Sequence, residues 1–132
     1  MTFETRRNKI VLVVDDTPAN LHFTQSVLEG SGYVTLGAQG GPEGISMALG
    51  TTPHVVLLDV EMPMIDGYET CRLLRKHEIL RHIPIMFLTS HKTDAAMRAG
   101  TVAGGNDFMV KPFDPHLLVE RIDHWAGHAP ID

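Results

Sequence analysis

The sequence predicts an α/β domain built on a doubly wound, five-stranded parallel sheet with five helices, and three observations carry that prediction. Short apolar, β-branched runs alternate with longer amphipathic stretches along the whole chain. The strongest of these runs show no polar alternation, as a parallel strand covered by helices on both faces requires. Polar residues stand at the ends of the runs: Asp15 and Asp16, Asp59, Thr89 and Ser90, and Lys111.

Ile10 to Val14 reads as the first strand. Asp16 or Thr17 caps the first helix, Pro18 takes its first position and Gly30 closes it. Tyr33 to Leu36 is a weaker second strand, and Gly41-Pro42 opens a short second helix reaching about Leu49. Val55 to Leu58 is a buried third strand, and Asp66 caps a third helix through Tyr68, Cys71 and Leu74. Pro84 introduces the fourth strand, Ile85 to Leu88. The fourth helix begins near Lys92 and runs through Met97 to about Val102, with Gly100, Gly104 and Gly105 suggesting mobility at its end. Asp107 to Val110 is the fifth strand, and Asp114-Pro115 opens a fifth helix with Leu118, Ile122 and Trp125 on its apolar face. Five such pairs in strict alternation give parallel strands with helices on both sides.

A chain of 132 residues fits one domain over its whole length, with a core over about 9–126 and flexible ends at 1–8 and 127–132. The net charge of −5 argues against a nucleic-acid-binding surface across the domain. No apolar stretch reaches transmembrane length, and the polar N-terminus lacks the apolar centre of a secretory signal, so a cytoplasmic location without membrane contact is expected. Cys71 is the single cysteine, which excludes an internal disulfide.

Ligands of open parallel sheets sit beyond the carboxyl ends of the strands. There the topology gathers Asp15, Asp16, Asp59, Thr89 and Lys111 at one edge. Three carboxylates and one lysine leave a formal charge of −2, which a single divalent cation cancels. Magnesium suits such a set, being a hard ion held by a few carboxylates with water and phosphate oxygens completing its shell. Manganese is expected to substitute, and the backbone carbonyl of Glu61 is a further candidate ligand. Asp59, central among these groups, is the candidate nucleophile toward phosphorus, since an aspartate can form an acyl phosphate. Lys111 supplies charge neutralisation, and the Thr89 hydroxyl a hydrogen bond to a phosphoryl oxygen.

The segments VLVVDDTPAN, VVLLDVEMPMIDGYE, IMFLTS and FMVKPF resemble those of response-regulator receiver domains of two-component signalling, over roughly Lys9 to Trp125. The flavodoxin-like strand order 2-1-3-4-5 is carried over from known cases, the chemotaxis response regulator among them. The resemblance implies that Asp15 and Asp16 are the acidic metal pair, Asp59 the phosphoacceptor, Thr89 the switch hydroxyl, Phe108 the switch aromatic and Lys111 the site lysine, joined to Pro112 by a cis bond. It further implies a signalling switch rather than an enzyme, with at most magnesium-dependent self-phosphorylation and self-dephosphorylation. The expected donor is a histidine kinase or histidine phosphotransfer domain, and the readers are a downstream effector or a second copy. Both read the surface of the fourth helix, fifth strand and fifth helix. Glu61 and His91 stand at variable positions expected to tune the phosphoryl lifetime. Phe108 replaces the tyrosine of many members, and Gly105 a more usual alanine.

Plainer roles compete with each assignment. An Asp pair after a strand is often only a helix cap, and a lone lysine is often a surface residue. Met62 to Met64 reads as loop packing, and Cys71 as a small buried apolar residue. His22, His77, His82, His116, His124 and His128 read as surface residues, with no metal-binding spacing. An aspartate-nucleophile phosphohydrolase of the haloacid dehalogenase type would need Asp-x-Asp after the first strand, and Asp15-Asp16 lacks that spacing. A never-phosphorylated pseudo-receiver would lack an acidic residue, the acceptor or the lysine, and all three kinds are present.

Overall fold

The structure, a computed structural model, describes residues 1–127. Its elements in chain order are α1 (Phe3–Arg6), β1 (Ile10–Val14), α2 (Pro18–Gly30), β2 (Val34–Ala38), α3 (Gly41–Thr51), β3 (Val55–Asp59), α4 (Gly67–Arg75), a 3₁₀ turn (Glu78–Leu80), β4 (Ile85–Thr89), α5 (Asp94–Ala103), β5 (Asp107–Val110) and α6 (Pro115–Ala126). The strands form one sheet in the order β2-β1-β3-β4-β5, every neighbouring pair parallel.

The period-two pleat explains why the central strands are apolar on both faces up to their carboxyl ends. Leu12, Val14, Val56, Leu58, Ile85 and Phe87 enter one core, which Ala48 of α3, Cys71 and Leu74 of α4 and Ala103 of α5 complete. Their sequence neighbours Val11, Val13, Val55, Leu57, Met86 and Leu88 enter a second core with Leu21 and Leu28 of α2 and Leu118 and Ile122 of α6. Each fully buried Leu or Ile contributes roughly 1.5–3 kcal/mol relative to an exposed one. These two layers fix the register that brings the strand ends to one edge.

Among the described residues, six α-helices are present where the sequence predicts five. The extra one, α1, is a single turn with a reciprocal cap between Thr2 and Thr5. Arg6 grips Asp123 of α6 through two hydrogen bonds of 2.9 and 2.8 Å and donates to the Ser31 carbonyl at 3.2 Å. Asp123 also accepts the Tyr33 hydroxyl. The N-terminal segment, expected to be a flexible end, carries an ion pair between Arg6 and Asp123 that spans 117 residues of chain. Of the other expected end, 127–132, the part from residue 128, His128 included, lies outside the described residues.

Further details depart from the sequence reading. Chain reversal after α2 falls on Gly32, at φ +111°, not on Gly30; a Cβ at Gly32 would lie 2.8 Å from the Phe3 carbonyl. Thr93 caps α5 by accepting from the Ala96 N–H, so the helix starts later than Lys92. Gly100 and Gly105 take a packing role: a Cβ at Gly100 would lie 3.1 Å from the Phe87 ring, and one at Gly105 would overlap it. Met62 is buried, but Met64 is 95% exposed at φ 70°, so only the first of the pair packs. Cys71 is fully buried, and burial pushes its thiol up to about 11.

Arg75, at the last turn of α4, ties the lower loops together. Its guanidinium donates to the carbonyls of Leu80, Arg81, Ile83 and Gly104 and to Asn106 Oδ1, at 2.6–3.2 Å. Asn106 Oδ1 also accepts the Ile85 N–H, which aligns the start of β4. On the other side, Asp107 accepts from Phe108 N–H, Arg121 and the Trp125 indole, fastening β5 to α6.

Candidate functional site

The carboxyl ends of β1, β3, β4 and β5 converge because the strands are parallel and in register. Asp15 follows β1 and is 1% exposed; Asp59 ends β3 and is 4% exposed. Asp16 is half-buried, and the three carboxylates each offer an oxygen within 4.8 Å of the others. Lys111, after β5, donates from Nζ to Asp15 Oδ2 at 3.1 Å and to Asp59 Oδ1 at 3.2 Å. The Lys111–Pro112 bond is cis. Asp15 Oδ1 accepts the Thr17 N–H at 3.0 Å, a turn that leads into α2, whose N-cap residue Thr17 makes no side-chain capping bond.

The electrostatics follow from this crowding. Burial, then the neighbouring Asp15 charge, push the Asp59 carboxyl up to about 6, against the pull of Lys111. Burial works against the Lys111 ammonium, but Asp15 and Asp59 outweigh it and hold its pKa above the ordinary lysine value. One ammonium does not neutralise three carboxylates. The donor set thus fits a divalent cation that accepts hard oxygen ligands.

Thr89 ends β4 fully buried. Its hydroxyl donates to Glu61 Oε1 at 2.7 Å and accepts the His91 N–H at 3.1 Å. The same Glu61 oxygen accepts the Ser90 N–H at 3.2 Å and lies 2.6 Å from His91 Nδ1. Burial raises the Glu61 pKa, yet the hydrogen bonds from Thr89 and His91 prevail and hold it below the ordinary glutamate value. Phe108, paired in register with Phe87, is half-buried against the first core. The side-chain bond between Glu61 and Thr89 escapes sequence reasoning, since it joins a loop residue to a strand end 28 residues away.

A cleft of about 450 Å³ opens beside Lys111, lined by Asn20, Phe23, Thr24, Ser90, Pro112 and Phe113. The rings of Phe23 and Phe113 lie 6.0 Å apart. The aromatic after Lys111-Pro112 is the sequence signal that points to it.

The doubly wound sheet thus carries an acidic cluster and one lysine at its switch-point edge. Residues 11–123 match the model of the response regulator receiver domain family, and the chain belongs to that family of two-component signalling domains. Response regulator PleD of Caulobacter vibrioides is 36% identical over 112 residues, 85% of this chain and 25% of that protein. The chain therefore spans a quarter of PleD. Protein PilH of Pseudomonas aeruginosa is 31% identical over 113 residues, 86% of this chain and 93% of PilH. Among solved structures, the receiver domain of a sensor histidine kinase from Pseudomonas aeruginosa matches at a TM-score of 0.85 and 28% identity, covering 91% of this chain and 98% of that one; it was solved with a magnesium ion coordinated in the active site cleft. Among the described residues, no helix is long and apolar enough to cross a membrane.

Proposed function

We propose that this domain accepts a phosphoryl group on Asp59 from the phosphohistidine of a histidine kinase or phosphotransfer protein. The observation that carries this is the position of Asp59: a buried carboxylate ending the central strand, beside Asp15 and Asp16 and held by Lys111. At pH 7.5 it is ionised, lying above its own value of about 6, and so is a competent nucleophile. A carboxylate oxygen attacks phosphorus, the P–N bond to the donor imidazole breaks, and the freed imidazole nitrogen keeps the electron pair and takes up a proton. Lys111 orients the carboxylate and offers its ammonium to the phosphoryl oxygens. The Thr89 hydroxyl would donate to a further one.

Asp15, Asp16 and Asp59, with the Glu61 backbone carbonyl, would hold magnesium or manganese, which when bound neutralises charge on the transferred group. The magnesium in the Pseudomonas receiver supports that assignment. Glu61 and His91 overhang Thr89 beside the acceptor and are assigned the lifetime of the acyl phosphate. Phosphorylation adds up to two negative charges and three acceptor oxygens. It would draw Thr89 toward Asp59 and let the Phe108 ring turn inward, altering the surface of α5, β5 and α6. That surface is proposed to meet an effector or a second copy, and no nucleic acid or membrane directly.

The test is intact mass after incubation with acetyl phosphate and magnesium. One phosphoryl adduct is expected, absent from Asp59→Asn; an adduct at full yield in that variant would refute the assignment.

A further inference from the structure

We propose that Glu61 is a latch on the switch: in the unphosphorylated domain its carboxylate holds the hydroxyl proton that Thr89 must offer to the phosphoryl group. This rests on Asp59 being the acceptor. A threonine hydroxyl has one proton, and here it is donated to Glu61 Oε1 at 2.7 Å. The hydroxyl's accepting side is also engaged, by the His91 N–H at 3.1 Å. Phosphoryl oxygens at pH 7 are overwhelmingly acceptors, so they gain a bond to Thr89 only when Glu61 gives it up. The two acceptors compete for one proton.

The latch is well anchored. Besides Thr89, the same carboxylate oxygen takes the Ser90 N–H at 3.2 Å and faces His91 Nδ1 at 2.6 Å. Three donors from consecutive residues, Thr89 at the end of β4 and Ser90 and His91 after it, therefore converge on one oxygen of the β3–α4 loop. Charged acceptors form the stronger hydrogen bonds of this kind. Glu61 thus couples the end of β4 to the acceptor loop before any phosphoryl group arrives. A phosphoryl group on Asp59 opposes the latch twice, by competing for the Thr89 proton and by repelling the Glu61 carboxylate as a like charge. Glu61 is then a positioning residue for the switch, acting through Thr89. His91 is the second anchor of the closed state.

A double-mutant cycle on beryllofluoride binding separates the latch from a simple charge effect. Titrate the full chain with beryllofluoride and magnesium in four forms: parent, Glu61→Ala, Thr89→Val and the double variant, each first shown to be folded by circular dichroism. Removing a carboxylate near an anion strengthens binding in any case. Freeing a proton strengthens it only where the hydroxyl exists. Glu61→Ala is expected to tighten binding roughly fivefold or more when Thr89 is present, the scale of one hydrogen bond released, and clearly less in the Thr89→Val background. Thr89→Ser, which keeps the hydroxyl, should restore the full gain. Equal tightening in both backgrounds overturns the latch and leaves the acceptor assignment standing. Failure of the parent to bind beryllofluoride at all overturns the acceptor assignment, and the latch with it.

Discussion

Neutralising Asp59 should make the metal-free domain more stable. Asp59 has a carboxyl at about 6 in the fold, against an ordinary value of 3.8. Between those values the folded state binds more protons than the unfolded one, so stability falls as pH rises through the window, and the full cost is present at pH 7.5. A difference of about two pH units corresponds to roughly 3 kcal/mol at 1.36 kcal/mol per unit. Asparagine keeps the shape and an acceptor for Lys111 but carries no charge. Asp59→Asn in EDTA at pH 7.5 is therefore expected to gain on the order of 1–3 kcal/mol, about 4–10 °C in Tm for a domain this size. Thermal and urea unfolding with and without magnesium provide the assay. A cation bound to the folded state stabilises it by mass action, so magnesium should raise the parent more than the variant and narrow the gap. An asparagine variant no more stable than the parent in EDTA, or a gap that magnesium leaves untouched, would refute the charge-crowding argument.

Arg75→Met should destabilise the fold by about 2–4 kcal/mol, because several loop carbonyls lose their donor together; a urea midpoint near that of the parent would show that water replaces the guanidinium. His54 Nδ1 accepts the Ile10 N–H at 3.0 Å, which only an unprotonated nitrogen can do. Burial, then Lys9, lower its pKa. This contribution is full above the unfolded value of about 6.5 and is lost as pH falls through the lower folded value, so the parent should lose stability from pH 7.5 to 5.5 faster than His54→Asn, whose amide oxygen accepts at either pH. Parallel slopes would remove His54 from the pH response. A beryllofluoride complex should shift amide signals from Thr89 through Phe108 and onto α6; shifts confined to residues touching the phosphoryl site would mean that the relay does not run through α5, β5 and α6.

The strands and the convergent site residues were legible because both depend on short-range pattern. Ile10–Val14 and Asp107–Val110 match their expected bounds, and β3 and β4 differ only by including Asp59 and Thr89. A run buried on both faces has to be apolar at every position, and strand ends inherit the sheet's polarity. What was not legible depends on distant partners. The turn of α1 has no periodicity to read and is held by Asp123 at the other end of the chain. Gly32 and Gly30 look alike until Phe3 is placed against one of them. Arg75 resembles an ordinary helix-ending arginine until the turns before β4 and β5 fold around it. In the site, the acidic cluster and lysine follow from topology, but the Glu61–Thr89 bond depends on side-chain choices in a loop and at a distant strand end.

The close approach of Gly105 to Phe87 links the histories of the two positions. Phe87 is fully enclosed, with Tyr68 edge-on at 5.3 Å and Gly100 also against its ring. A methyl group at position 105 has nowhere to go while position 87 carries a phenyl ring. An alanine at position 105 is thus a costly single step in this background. It becomes open only after Phe87 gives way to a smaller side chain, and reversing that change would then be blocked in turn. Such mutual epistasis makes the order of substitutions, and not only their sum, decide which sequences this domain can reach.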